Sequence, residues 1–432
     1  MLFLLDTVRA DRLGCYGSPR PTSSALGKIA ERGVLFEKVV ASAPWTLPSV
    51  RTILSARGAD RDPTPDHKLA ASVVESIRRA GFVTGAMTEG GFVSRAFGFD
   101  RGFDEYVEEE GAVQLVRPDK PRSPDPTGGI EKTFALARDW IGRHRGERFF
   151  LLVHTYEPHA PHDRRTFTPG LPGARFGDVF SIETGALLRA GRIPFDEADL
   201  RYLEALYDGG IHEADRHVGA FLEFLREIGL SDRTLVVVTS DHGEELGDHY
   251  RAFSGNHGHS LHDELLLVPL ILHDPTTAYP VRRVRSQVRT LDILPTIAEI
   301  LGAPIDYPTE GASLVPVLRG EETEGRTASG GATKYGAQQV FVRRLGYKYI
   351  RVTDPAPKRE PVFPAPPLVQ LYDLVRDPRE RTNLATSRPE IVREMERILE
   401  VTKRGGAGLD TPPAEEMDPE LLERLRSLGY LR

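Results

Sequence analysis

Two apolar runs, far apart in the chain, each end on residues that bind cations, and this pairing constrains the fold more than any other feature. The first is Leu2-Phe3-Leu4-Leu5, followed by Asp6. The second is Leu235-Val236-Val237-Val238-Thr239, followed by Ser240, Asp241 and His242. Short continuous apolar runs bounded by polar residues suit strands covered on both faces, as in a parallel sheet. Ligands of such sheets gather beyond the carboxyl ends of the strands. Asp6, Asp241 and His242 are therefore three candidate ligands for one metal ion. Acids at strand ends also cap helices, so each segment taken alone keeps both readings.

Strand and helix patterns alternate through roughly the first three hundred residues, which predicts an α/β fold with helices on both sides of a sheet. Helices are expected over residues 23–32, 68–80, 131–143, 197–228 and 290–301, and strands over 34–40, 82–87, 149–154, 234–239 and 267–272. Segments 117–129 and 170–192 are rich in loop formers and read as surface loops that shape specificity. Beyond residue 307 the texture changes to short strand-like runs at 338–343, 347–352 and 369–372, then a helix over 389–402. The division this suggests is a catalytic unit over residues 1–306 and a subdomain over 307–432 packed on it.

At 40% hydrophobic and 28% charged, the 432 residues are enough for a large core. The net charge of −7 is spread along the chain without a basic run, which argues against a nucleic-acid partner. The apolar stretch 265–272, with Pro269 inside it, is too short to span a bilayer, so no integral membrane segment is expected. The single cysteine, Cys15, excludes an intrachain disulfide. Met1 leads directly into the first strand. The expectation is a cytoplasmic protein as written, or a periplasmic or exported one if the true start lies upstream. The oligomeric state is not legible.

Pro44-Trp45-Thr46-Leu47-Pro48-Ser49-Val50-Arg51 follows a strand and opens a helix, which places the Thr46 hydroxyl near a helix N-terminus. It is either an N-cap or a nucleophile, activated by a metal and by the helix end.

The run Leu5-Asp6-Thr7-Val8-Arg9-Ala10-Asp11-Arg12-Leu13-Gly14-Cys15-Tyr16-Gly17 resembles the opening signature of the type I sulfatase family, within the alkaline phosphatase superfamily. Further matches follow in the family's order: Phe97-Gly98-Phe99-Asp100-Arg101-Gly102-Phe103, His154-Thr155-Tyr156-Glu157-Pro158-His159-Ala160-Pro161, and Ser240-Asp241-His242-Gly243-Glu244. His257-Gly258-His259-Ser260-Leu261-His262-Asp263-Glu264 leads into Val268-Pro269-Leu270, and Leu371-Tyr372-Asp373-Leu374 lies near the C-terminus. The resemblance implies an alkaline-phosphatase-like central, mostly parallel sheet between helices, with a small C-terminal antiparallel sheet and helix.

Departures from the family pattern carry information. Sulfatases place Cys or Ser, converted to formylglycine, in a Cys/Ser-x-Pro-Ser-Arg signature. Here that position is Thr46, Val50 occupies the arginine position, and Arg51 comes one residue late. Thr7 replaces the second acid of the opening pair, and His242 replaces the usual amide. An imidazole beside carboxylates favours manganese or zinc, with calcium possible.

By this resemblance the metal ligands are Asp6, Thr46, Asp241 and His242, similar to the site of lipoteichoic-acid synthases and nucleotide pyrophosphatases. Thr46, His159 and His257 are the catalytic candidates, and Arg9, His154 and His259 the substrate-binding ones. His154 also fits a strand cap, and His257 and His259 a second metal site. Asp208 and His212 share one helix face, read as solvated. The expected activity is metal-dependent cleavage of a phosphate, phosphonate or sulfate ester of a small molecule, glycan or lipid head group, by hydrolysis or transfer. The alternatives are a formylglycine-independent sulfuric ester hydrolase and a catalytically silent anion binder.

Overall fold

The computed structural model describes residues 1–59, 68–109, 129–277, 279–280, 282–344, 346–358 and 365–403. Nearly all of the loop expected at 117–129 lies outside them. The main sheet contains β1 (Leu2–Leu5), β2 (Val34–Val40), β3 (Val83–Thr88), β4 (Glu105–Glu108), β5 (Phe149–Thr155), β6 (Val236–Thr239), β7 (Leu267–His273), β8 (Arg283–Val284) and β9 (Val288–Arg289). Its order is β4-β3-β5-β1-β6-β7-β2-β8, with β9 also paired to β2. Pairing is parallel from β4 through β6 and antiparallel on both sides of β7.

Both faces are covered, as the continuous apolar runs require. Leu2 and Leu4 of β1 point into one core, while Phe3 and Leu5 point into the other. The first face packs against α2 (Thr46–Ser55), α3 (Val73–Arg79) and α8 (Ile293–Ile300). The second packs against α1 (Ser24–Arg32), α4 (Ile130–His144) and the long α6 (Glu197–Glu227). The helices α5 (Ile182–Arg189), α7 (Asp263–Leu266) and α9 (Val315–Leu318) are short. Among the described residues no helix is long and apolar enough to cross a membrane.

Two expected elements differ. The helix predicted over 68–80 is confined to α3, because Ser72 caps it and forms a reciprocal box with Glu75. The segment read as loop at 170–192 contains α5, started by Ser181, whose Oγ accepts the Thr184 N–H. The edge strand β4 carries two acids in four residues and gave no strand signal.

A second, antiparallel sheet has the order β10 (Ala328–Gly331), β11 (Gly336–Arg344), β12 (Tyr347–Lys358), β13 (Val369–Asp373). Phe341, Ile350 and Tyr372 on one face join the main core. Val342, Tyr349 and Leu371 on the other pack under Met395 and Leu399 of α10 (Pro389–Lys403). A buried ion cluster ties this sheet to the chain entering β7. Lys348 Nζ lies 2.9 Å from both Asp263 and Glu380, and Arg343 lies 3.1 Å from Asp263.

Candidate active site

Sheet order places β1 between β5 and β6, so the residues at their carboxyl ends are neighbours. Leu4 pairs with His154 on one side and Thr239 on the other. After Asp6 the chain turns sharply at Thr7, whose φ of 58° is costly for a β-branched residue. That turn brings the Thr7 N–H to Asp241 Oδ1 (3.4 Å) and the Val8 N–H to Ser240 Oγ (2.9 Å). Helix α2 is anchored to the same point, because Ser49 Oγ donates to the Asp241 carbonyl at 2.5 Å.

Thr46 is the first residue of α2, and the cap position belongs to Trp45, which makes no side-chain cap bond. The Thr46 hydroxyl donates to Asp6 Oδ2 at 3.3 Å and stands 3.2 Å from His242 Nε2. His242 Nδ1 lies 2.9 Å from the Gly243 carbonyl, so Nδ1 carries the hydrogen and Nε2 presents a lone pair to the cluster. One ligand atom each from Asp6, Asp241 and His242 lie within 4.8 Å of one another, all fully buried.

This arrangement fits a divalent cation. Asp6 Oδ1 and Asp241 Oδ2 are buried without a hydrogen-bond partner, and so are both ring nitrogens of His154. His154 Nε2 sits 3.5 Å from Asp6 Oδ2, so the structure puts this residue with the ligand cluster. Burial, then the Asp241 charge, push the Asp6 carboxyl well above its ordinary range. Facing buried carboxylates with idle oxygens are costly unless a cation joins them. Carboxylate oxygens, an imidazole nitrogen and a hydroxyl together make a mixed donor set for a divalent cation.

Two further histidines stand beside the cluster. The His257 ring is 4.4 Å from that of His242 and 5.0 Å from that of His159. Burial pushes His159 down to about 3 and His154 to about 4, and holds His257 well below its ordinary value. Burial thus favours the neutral imidazole at all three. Glu244, 3.3 Å from His257 Nδ1, is driven upward by burial and the Asp6 charge.

The other singled-out residues lie in contacts of their own. The Arg9 guanidinium bonds both oxygens of Asp11, Asp248 at 2.5 Å and the Glu244 carbonyl at 3.1 Å. It clasps the loop after β6 to the turn after β1. Gly258, with φ 82°, turns the chain between His257 and His259. His259 consequently stacks on Phe253 (4.8 Å), with Glu245 3.6 Å away, in a neighbouring cluster. The face carrying Asp208 is not solvated: Asp208 is buried and paired with Arg20 at 2.5 Å.

Sequence reasoning missed the residues that reach the site from elsewhere. Tyr156 braces its floor through bonds from Phe92 N and to Gly90 O. Lys334, from the turn between β10 and β11, lies buried against Trp45. No local spacing announces either.

A family profile described as Sulfatase matches residues 1–303. The chain belongs to the sulfatase family. It is 30% identical over 217 residues to arylsulfatase K of Xenopus laevis, a match covering 48% of this chain and 38% of that protein. It is 31% identical over 212 residues to the multifunctional alkaline phosphatase superfamily protein PehA of Trinickia caryophylli, covering 44% and 38%. The matches thus span well under two thirds of these relatives' length. The solved phosphonate monoester hydrolase of Agrobacterium radiobacter superposes with a TM-score of 0.69 over 97% of this chain and 96% of that one, at 20% identity. That likeness establishes the alkaline-phosphatase-like fold expected from the sequence.

Proposed function

We propose that this sulfatase-family chain is a metal-dependent ester hydrolase, or transferase, in which Thr46 attacks the sulfur or phosphorus of a sulfate, phosphate or phosphonate ester. The observation that carries this reading is the Thr46 hydroxyl, set between Asp6 and His242 at 3.3 and 3.2 Å on the first turn of a buried helix. Asp6, Asp241, His242 and Thr46 would hold the cation, with His154 beside them. When bound, the cation favours loss of the hydroxyl proton and offsets charge on the transferring group.

Asp6 Oδ2 is placed to accept the Thr46 proton. The Thr46 Oγ1 bond to the central atom forms as the bond to the leaving oxygen breaks, and the N-terminal end of the helix favours the developing charge. Water, or an acceptor alcohol, then displaces Thr46 and restores its hydroxyl. His159 and His257 are assigned to contact with the ester oxygens. A leaving oxygen that needs a proton takes it from one of them once the bound anion recharges the imidazole. Threonine already carries the hydroxyl, so conversion to formylglycine is not invoked. Phosphorus esters are favoured over sulfate, because the imidazole-containing donor set resembles that of phosphoester-cleaving relatives.

Turnover of p-nitrophenyl phosphate, a phosphonate monoester and p-nitrophenyl sulfate by wild type and Thr46→Ala, with manganese or zinc added, tests this. The expected result is loss of at least about a thousandfold in the alanine variant, and a phosphorylated Thr46 peptide from quenched wild type. Undiminished turnover by Thr46→Ala would sink the proposal.

A further inference from the structure

We infer that Tyr207 is a positioning residue for the cation, a role that rests on the reading of Asp6, Asp241 and His242 as cation ligands. From outside the ligand cluster its hydroxyl holds the strained turn at Thr7, and through that turn it aims Asp6 and Asp241. Thr7 follows Asp6 directly and has φ 58°, a left-handed conformation that a β-branched residue adopts only at a cost. Such strain persists only where the surroundings over-determine it. The Thr7 side chain gives no help, because its buried Oγ1 has no hydrogen-bond partner among the described residues. The backbone has to be held instead.

The end of β6 takes one half of the turn. The Thr7 N–H reaches Asp241 Oδ1 at 3.4 Å, and Ser240 Oγ accepts the Val8 N–H at 2.9 Å while donating to the His242 carbonyl at 2.8 Å. Tyr207 takes the other half. Its hydroxyl donates to the Thr7 carbonyl at 2.6 Å and accepts the Arg9 N–H at 3.0 Å. One hydroxyl can do both, since it carries a donor and acceptor lone pairs. Tyr207 is fully buried, so solvent does not replace it. Its depth is fixed as well. Gly209 and Gly210 follow it in the interior of α6, where glycine is disfavoured. A Cβ on Gly209 would run into the Arg164 carbonyl oxygen, and one on Gly210 would stand 3.0 Å from that of Glu157. The two glycines let α6 settle against the segment that carries His159, and a helix seated that closely presents the phenol at a set height to the turn.

The turn matters to the cation because the Thr7 N–H engages one oxygen of Asp241 and leaves the other, Oδ2, to the cluster together with Asp6 Oδ1. Without the phenol, the buried Thr7 carbonyl and Arg9 N–H lose their partner, and the Thr7 backbone relaxes toward negative φ. That movement carries Asp6 and the Thr7 N–H away from Asp241. Loss of the Tyr207 hydroxyl therefore weakens metal binding, although the bonds lost are to Thr7 and Arg9 and not to a ligand.

Metal affinity of the full-length chain tests this. Tyr207→Phe keeps the ring and deletes the hydroxyl. Calorimetric titration with manganese or zinc should show affinity lower by about tenfold to a hundredfold, and the visible spectrum of the cobalt-loaded variant should differ from that of wild type. Thr7→Gly removes the strain, because glycine takes a positive φ freely. In that background the same Tyr207→Phe change should cost less than about threefold, which measures the coupling between the two positions. A tyrosine that merely packs predicts a lower unfolding temperature in chelator with wild-type metal affinity and an unchanged cobalt spectrum, and that result would overturn the inference. So would an equal loss of affinity in the threonine and glycine backgrounds. If Tyr207→Phe alone does not fold, a folded Thr7→Gly/Tyr207→Phe double that binds metal supports the inference, and a double that also fails to fold overturns it. Wild type that binds none of the three metals refutes the cation reading itself, whereas equal binding by wild type and Tyr207→Phe refutes this inference alone.

Discussion

Lys348 holds the second sheet to the chain that carries His257, and its removal should be costly. Its side chain is fully buried, 2.9 Å from Asp263 and 2.9 Å from Glu380, whose side chains are 10% and 1% exposed. Lys348→Met keeps most of the stem and deletes only the charge. Asp263 retains Arg343 at 3.1 Å, so its loss is partial. Glu380 keeps the Asp263 N–H at 2.7 Å and the more distant charge of His249, but faces the Asp263 carboxylate without Lys348 between them. Burial already raises the Glu380 carboxyl, with Lys348 opposing. Breaking a buried pair of this kind costs about 3–5 kcal/mol, and the retained Arg343 argues for the lower half of that range. Equilibrium urea unfolding of Lys348→Met at pH 7 measures it. Lys348→Met/Glu380→Gln should recover roughly half of the loss, because the double variant leaves no orphaned charge at 380. The penalty should also shrink in mild acid, where a protonated Glu380 needs no cation. A single variant within about 1 kcal/mol of wild type, or a double variant no better than the single, would refute the view that this cluster bears on docking.

Two other outcomes follow from the site. Manganese or zinc at a hundredfold excess over its dissociation constant should stabilise the chain by about 2.7 kcal/mol. Asp6→Asn should reverse sign, raising the unfolding temperature in chelator, where two buried carboxylates face each other, and lowering it in metal. A variant destabilised equally in both conditions would argue against a cation there. His159, pushed down to about 3 from 6.5 by burial, makes native stability decrease as the pH is lowered, since between those values the unfolded chain binds a proton that the native state refuses. The stability of wild type relative to His159→Asn should therefore drop by about 2 kcal/mol between pH 7 and pH 5. A difference that is flat with pH would mean that His159 is not held neutral.

The ends of β1 and β6 were legible because burial on both faces leaves an unbroken apolar run, and the residue that ends the run marks the sheet's edge. The start of α2 at Thr46 was legible for a similar reason, from the strand before it and the helical pattern after it. Arg9 was not. Its type and position suit an anion clamp, but its partner Asp248 lies 239 residues away, and nothing near Arg9 in sequence reports that pairing. His257 and His259 look equivalent on paper, and a single left-handed glycine between them separates their environments.

What the sequence alone determined about this protein is therefore periodic and local: which segments form strands and helices, where each stops, and which polar residues stand at those stops. Tertiary structure decided which stops meet. Only the order β5-β1-β6 sets His154 beside Asp6, and only the docking of the second sheet brings Lys334 to Trp45. The physical reason is that backbone period and burial leave their record in neighbouring residues. The pairing of charges depends on distances through space between segments that share no local pattern.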